Sequence, residues 1–150
     1  MHENEIATIV VAAAFRVHGE LGPRLLETVY EAALQLELAE AGLTVQRQHP
    51  VPVVYKSLKL AQGFRADLIV CGKVIVEIKA QDAVPPVAYK ILLTYLRFAD
   101  MRLRLLINFN NETAFPPRSA PRSPRETQTT KARTLLRSNQ HEDVSTLIYW

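Results

Sequence analysis

The chain has 150 residues and a mass of 16.9 kDa, with 48% hydrophobic and 22% charged side chains, which fits one globular domain and excludes a wholly disordered chain. No run reaches the roughly 18 apolar residues of a membrane helix, and the longest, 9–15, is too short and too close to acidic residues for a signal peptide. We therefore expect a cytoplasmic protein without membrane contact. The single cysteine, Cys71, excludes an internal disulfide, and no Cys/His cluster has zinc spacing.

The formal net charge of +3 is concentrated at one end of the chain. Residues 1–112 carry 12 basic and 12 acidic side chains, whereas residues 113–150 carry six and three. Four of the nine prolines fall between Pro116 and Pro124, among Ser, Arg and Thr. This composition predicts a folded domain over 1–112 and a basic, loosely ordered tail over 113–150. The alternative for the end of the tail is that residues 147–150 form an extra strand on an open sheet edge.

The hydrophobic pattern predicts a mixed α/β fold. Apolar residues at helical spacing indicate one helix over 5–17 and a second from Pro23 to the stop at Ala41-Gly42. Segments 45–49 and 51–55 are extended but contain prolines, which is typical of an edge or bulged strand. Segments 59–70 and 73–80 predict a hairpin, 87–98 a helix and 103–109 a buried strand.

Three charged residues interrupt strands that are otherwise apolar. Asp67 lies in the first strand of the predicted hairpin, and Glu77 and Lys79 lie in the second. A charge in a central strand is costly unless it is paired or bound to metal. Strand periodicity places Glu77 and Lys79 on the same face. These residues are therefore candidates for a functional site.

The hairpin turn decides whether Asp67 lies beside Glu77. A two-residue Cys71-Gly72 turn sets Asp67 opposite Val76, whereas one extra loop residue or a bulge sets it opposite Glu77. The turn residues favour the first register, but shared chemistry requires the second. We predict the second.

Two converging carboxylates make a hard-oxygen site suited to Mg²⁺ or Mn²⁺, and a neighbouring lysine can position water or stabilise developing charge. The alternative is that Glu77 and Lys79 form an exposed ion pair on an edge strand. Glu27 is a third acidic candidate, on the second helix with Tyr30 and Glu31 one turn further along.

Five segments in continuous order resemble the GxxExxY protein family, which is similar in turn to the PD-(D/E)XK nuclease superfamily. They are VHGELGPRLLETVYE (17–31), GFRADLIV (63–70), VEIKA (76–80), LLTYL (92–96) and LLINFN (105–110). The resemblance implies a restriction-endonuclease-like mixed central sheet flanked by helices. It also implies that a helical Glu, a strand Asp and an E-x-K triplet meet at one metal site, as Glu27, Asp67, Glu77 and Lys79.

The chain departs from that pattern at several positions. Arg24 occupies the position of the motif's first glycine, whereas the motif's Glu and Tyr are present as Glu27 and Tyr30. Ala88 and Ile91 stand where relatives commonly have His and Gln, which leaves Tyr95 as the remaining member of a Gln-x-x-x-Tyr pair. Tyr30 and Tyr95 are thus possible supports of the site. After Asn110 the resemblance stops, which fits either a genuine extension or a shifted reading frame.

Two functions follow from these expectations. The first is a magnesium-dependent nuclease acting on DNA or RNA, in which Asp67, Glu77 and Glu27 serve the metal and Lys79 aligns water. The second is a catalytically inactive binding or regulatory module that keeps the nuclease fold, because a fold does not certify an activity. A neutral domain suits a polyanion poorly unless its basic residues cluster near the site. The arginines to examine are Arg16, Arg24, Arg47, Arg65, Arg102 and Arg104.

Overall fold

The structure is a computed structural model that describes residues 1–85, 87, 101, 103–110 and 145–149. Two helices come first, α1 (Glu3–Leu21) and α2 (Glu27–Glu40). The backbone N–H of His2 donates to the carboxylate of Glu5 at 2.7 Å, which satisfies one of the N–H groups at the start of α1. Gly22, with a φ of 72°, ends that helix. Both predicted helices are confirmed.

Within the described residues, five strands follow and form a single sheet: β1 (Val45–Tyr55), β2 (Leu58–Val70), β3 (Val74–Lys79), β4 (Leu103–Asn108) and β5 (Ser145–Tyr149). Their order in the sheet is the order of the sequence. The pairs β1–β2 and β2–β3 are antiparallel, whereas β3–β4 and β4–β5 are parallel. This arrangement confirms the predicted mixed sheet.

The main core lies between the helices and one face of the sheet. Ile6, Val10, Tyr30 and Leu34 of the helices pack there against alternating strand residues such as Val76. A smaller apolar cluster covers part of the other face: Val51, Ala66, Ile69 and Ile75, with Phe64 and Met101 packed against them. Because β3 has apolar partners on both faces, it is a central strand, as the short apolar run Val74-Ile75-Val76 indicates.

Three predictions about the periphery had different outcomes. β1 is one bulged edge strand instead of two segments, with a register shift between Val51 and Val53. The predicted helix over 87–98 lies outside the described residues apart from Val87. Residues 145–149 pair with β4 in parallel, which agrees with the edge-strand alternative given for residues 147–150, and the rest of the predicted tail lies outside the described residues. A strand beside β4 gains hydrogen-bond partners for its backbone groups, and the amino-acid composition of the tail does not predict this pairing. No helix in the described part of the chain is long and apolar enough to cross a membrane.

Candidate functional site

The turn between β2 and β3 places Asp67 next to Glu77. Val70 pairs with Val74 and Leu68 with Val76, so the connection has three residues, and the same register extended by one position sets Asp67 opposite Glu77. Cys71 and Gly72, with φ values of 52° and 64°, form the centre of a tight turn that the N–H of Lys73 closes on the carbonyl of Val70 at 3.0 Å, and Lys73 is the extra residue before the ladder begins. The predicted register is therefore confirmed.

The ladder between β2 and β3 stops at this point. Its last pair is Leu68 with Val76, although β3 continues to Lys79 in register with β4. Oδ2 of Asp67 accepts the backbone N–H of Ile78 at 2.8 Å. The Asp67 side chain thus accepts a backbone N–H of the central strand at a position where β2 no longer pairs with β3. This contact holds the carboxylate at the end of the shared ladder.

The pKa of Asp67 is raised from 3.8 to about 6. Burial of the carboxyl contributes most, and the negative charges of Glu77 and Glu31 raise it further. The hydrogen bond from Ile78 and the charge of Lys79 act in the opposite direction. A divalent cation would relieve the unfavourable ionisation of Asp67 that burial and the neighbouring charge of Glu77 cause.

Glu77 holds two cations, one at each oxygen. Oε1 accepts from Nζ of Lys79 at 3.0 Å, and Oε2 accepts from Nη2 of Arg104 at 3.1 Å. The Lys79 and Glu77 side chains are 21% and 17% exposed, and Arg104 is fully buried on β4. β3 lies in the middle of the five strands. The alternative of an exposed ion pair on an edge strand is therefore wrong.

Lys79 is surrounded by acidic groups. Burial of the ammonium lowers its pKa, but the charges of Glu77, Glu27 and Asp67 and the hydrogen bond to Glu77 outweigh burial and raise it. The amine therefore stays protonated at neutral pH and donates hydrogen bonds; it is not a proton acceptor there. That all three carboxylates act on one amine means that the four predicted residues share one electrostatic cluster.

Glu27 reaches the cluster from the first turn of α2. Its Oε1 accepts the backbone N–H of Ala80 at 3.1 Å, directly after Lys79. Its position depends on the loop that precedes α2, and Tyr30 fastens that loop. The Tyr30 hydroxyl donates to the carbonyl of Gly22 at 2.6 Å and accepts the N–H of Leu25 at 3.1 Å.

The GxxExxY-like segment is thus a structural unit. The Tyr30 ring is fully buried and stacks on Phe109, with centroids 4.4 Å apart and planes 6° from parallel. Arg24, at the motif's glycine position, has a φ of 71°, and its N–H donates to Oδ1 of Asn110 at 3.0 Å. A left-handed backbone is the reason that a glycine suits this position. Tyr30 holds the loop before α2 and makes no hydrogen bond to the carboxylates of the cluster.

Two further polar residues belong to the cluster and were not predicted as site residues. Glu31 is 3% exposed and accepts from Nε of Arg47 and from Nε2 of Gln48, both at 2.9 Å. Nε2 of Gln48 also lies 3.3 Å from Oδ1 of Asp67. Gln48 has a φ of 48° inside β1, at the register position opposite Asp67. The spacing of Glu31 from Glu27 was visible in the sequence, but the left-handed residue in β1 has no sequence signal.

The five candidate arginines that the structure describes do not gather into one basic surface around the site. Carboxylates pair with three of them: Glu37 with Arg16, Glu31 with Arg47, and Glu77 with Arg104. Arg65 is exposed on β2, Arg24 lies in the loop before α2, and Arg102 is outside the described residues. Tyr95, Ala88 and Ile91 also lie outside the described residues.

The donor set suits a hard divalent cation in part. Asp67 and Glu77 supply adjacent carboxylate oxygens, the ligands that Mg²⁺ prefers. Among the described residues, no three Asp, Glu, His or Cys side chains are grouped so that they could hold an ion. Magnesium commonly uses one or two carboxylates and takes its other ligands from water or phosphate. A pair of carboxylates therefore fits such an ion once Lys79 releases Oε1 of Glu77.

Comparison with protein families gives a match to a model described as the PD-(D/E)XK nuclease superfamily, over residues 4–118. This range contains both helices and β1–β4 with every residue of the cluster described above. No curated protein and no solved structure matches the chain.

Proposed function

The chain belongs to the PD-(D/E)XK nuclease superfamily and has its restriction-endonuclease-like α/β fold, and we propose that it is a metal-dependent nuclease that hydrolyses phosphodiester bonds in DNA or RNA. The observation that carries this proposal is the position of Asp67 at the end of the β2–β3 ladder, where its carboxylate accepts the N–H of Ile78 beside the bonded pair of Glu77 and Lys79. We assign the chain to the GxxExxY group within the superfamily, on Glu27 and Tyr30 at their motif spacing and on the left-handed backbone at Arg24.

In this proposal Asp67 and Glu77 hold a Mg²⁺ or Mn²⁺ ion. An ion there would supply Lewis-acid polarisation of the phosphate and a more acidic bound water. The buried guanidinium of Arg104 donates to Oε2 of Glu77 at 3.1 Å and holds that oxygen in place. Glu27 is bonded to the N–H of Ala80, so we assign it to orientation of the end of β3 and of the ion's surroundings.

Lys79 acts as a positioned cation. Because its pKa is raised, the ammonium remains charged near neutral pH and can donate hydrogen bonds to the attacking water and to a phosphate oxygen. Both interactions strengthen as negative charge develops, which is the condition for a contribution to rate and not only to binding.

One observation favours a second candidate, a catalytically inactive nuclease-fold module. Both oxygens of Glu77 already hold cations, Lys79 and Arg104, so the cluster is internally neutralised to a large extent. A protein that uses this cluster for stability alone would bind its partner without metal-dependent chemistry.

The test is cleavage of labelled single- and double-stranded DNA and RNA by the full chain with Mg²⁺, with Mn²⁺ and with EDTA. Lys79→Met removes the ammonium from the site, and Lys73→Met removes one from the exposed β2–β3 turn as a matched control. We expect metal-dependent cleavage that falls by on the order of 10² or more in Lys79→Met and is unchanged in Lys73→Met. Folded wild-type protein that cleaves none of these substrates would support the inactive module, and full activity of Lys79→Met would contradict the assigned role.

A further inference from the structure

The neutral charge of residues 1–112 hides a strong separation of charge along the chain. Residues 1–40, which contain both helices, carry seven acidic and two basic side chains. Residues 41–66 carry Arg47, Lys56, Lys59 and Arg65 and no acidic side chain at all. The basic segment is the β1–β2 hairpin up to the residue before Asp67.

The outer part of this hairpin extends past the end of the β2–β3 ladder. Residues 49–66, which we call the basic arm, pair with each other from His49 with Ala66 to Tyr55 with Leu58. The ladder from β2 to the central strand covers only Leu68, Ile69 and Val70. Beyond the candidate site, the described ladders therefore pair the arm only with itself. Leu58 precedes Asp67 by nine positions, so the arm reaches up to roughly 30 Å past the carboxylate cluster at about 3.3 Å per residue.

The arm carries exposed charges and begins at the site. Arg65 is exposed two residues before Asp67, and Lys56 is exposed at the turn. Lys59 follows that turn, at the register position opposite Val54. Arg47, by contrast, lies in β1 before the start of the arm and pairs with Glu31. Gly63 permits the close approach of the two strands at the bulge, since a Cβ there would lie 2.8 Å from the carbonyl oxygen of Val51.

We propose that the basic arm binds the phosphate backbone of the nucleic acid whose scissile bond lies at Asp67 and Glu77. This inference rests on the proposed function and names the surface that holds its substrate. Lys56, Lys59 and Arg65 supply positive charge in a segment free of carboxylates. The arm is long enough to follow several phosphates, which recur for each strand of a duplex about every 3.4 Å of the helix axis. The arm explains how a domain without net charge accommodates a polyanion.

The test measures binding apart from chemistry. The affinity of the full chain for fluorescein-labelled single-stranded and duplex oligonucleotides is determined in EDTA over a series of salt concentrations. The variants are Arg65→Glu, the triple variant K56E/K59E/R65E, and Lys73→Glu, which makes the same charge change as Arg65→Glu in the exposed turn at the other end of β2.

We expect the triple variant to bind at least about tenfold more weakly and to lower the slope of log K against log salt by about 0.9 for each duplex phosphate that the arm no longer neutralises. Arg65→Glu should weaken binding by several-fold more than Lys73→Glu. Equal effects of Arg65→Glu and Lys73→Glu, or an unchanged triple variant, would overturn the inference. So would a wild-type chain that binds neither oligonucleotide, which would point to an acidic protein as the partner of the arm.

The outcomes keep this inference distinct from the proposed function. Binding through the arm without metal-dependent cleavage would leave the arm in place and remove the nuclease assignment. Cleavage that depends on Lys79, combined with an affinity that the arm variants leave unchanged, would support the nuclease assignment and overturn the role of the arm. The melting temperature of each variant is measured as well, to establish that the binding and cleavage measurements compare folded proteins.

Discussion

Oδ2 of Asp67 accepts the backbone N–H of Ile78 at 2.8 Å where β2 parts from β3, and this bond holds the carboxylate beside Glu77. The bond favours the ionised form of Asp67, yet burial and the charge of Glu77 outweigh it, so that the pKa rises to about 6. The ionised carboxylate is therefore under electrostatic strain at neutral pH. That strain is relieved by a proton, by an uncharged substitute or by a cation.

We predict that Asp67→Asn stabilises the metal-free protein at pH 7.5. A folded pKa above the unfolded value of 3.8 means that the contribution of Asp67 to stability is present below pH 3.8 and is lost as pH rises through about 6. The amide keeps an oxygen for Ile78 and carries no charge. After allowance for solvent screening, we expect a gain of about 1–2 kcal/mol at pH 7.5 that shrinks toward pH 4. Urea unfolding of both proteins at both pH values measures it; a difference independent of pH would contradict it.

Metal binding should depend on the same carboxyl group. An ion competes with the proton on Asp67, so the rise in melting temperature caused by millimolar Mg²⁺ or Mn²⁺ should grow between pH 5 and pH 7. Asp67→Asn should abolish the rise at every pH. Glu40→Gln, at the exposed end of α2, is the control and should respond to metal as wild type does.

The Arg24 position offers a test of the motif. A left-handed backbone costs a side-chain-bearing residue about 1–2 kcal/mol, and glycine's greater freedom in the unfolded chain returns part of this. We expect Arg24→Gly to stabilise the protein by about 0.5–1 kcal/mol. Arg24→Ala removes the same side chain but keeps the strain, so it should bring no such gain. Equal stability of the two variants would show that the φ of 71° carries no cost.

The elements that could be predicted from the sequence are those whose pattern lies within a few neighbouring residues. The apolar run of β3, with Glu77 and Lys79 on one face, was recognisable because strand periodicity is short-ranged. Arg104 could have been found by the same logic, since it is a charge in the buried strand β4 and required a partner. Its pairing with Glu77 depends on the parallel register of β3 and β4, which are 27 residues apart at this contact.

The remaining features depend on contacts that no local pattern encodes. Gln48 enters the cluster through a left-handed backbone in β1 and a position opposite Asp67. The placement of residues 145–149 beside β4 depends on a free sheet edge and not on the composition of the tail. Only the three-dimensional arrangement supplies these partners.

Tyr30→Phe tests how the loop before α2 is held. The variant keeps the stack on Phe109 but leaves the carbonyl of Gly22 and the N–H of Leu25 without the hydroxyl. We expect a loss of about 1–3 kcal/mol in stability and faster hydrogen exchange at Leu25. Slow exchange at Leu25 in Tyr30→Phe would show that the hydroxyl is not what holds this loop.

Glu77→Gln is a poor choice for testing catalysis alone. It removes the anion from Arg104, which is fully buried, and breaking one side of a buried ion pair costs about 3–5 kcal/mol. We therefore expect this variant to melt well below wild type. Glu77→Gln combined with Arg104→Met should recover part of the loss, and a single variant as stable as wild type would contradict the pairing.

The most direct test of the nuclease assignment is the metal-dependent cleavage rate of Asp67→Asn at pH 7.5, measured beside its melting temperature. If Asp67 holds the ion, the rate should fall by on the order of 10² or more while the metal-free melting temperature stays equal to that of wild type or exceeds it. Loss of activity with gain of stability cannot result from unfolding. Cleavage by Asp67→Asn at the wild-type rate would contradict the proposal that this carboxylate cluster is the active site.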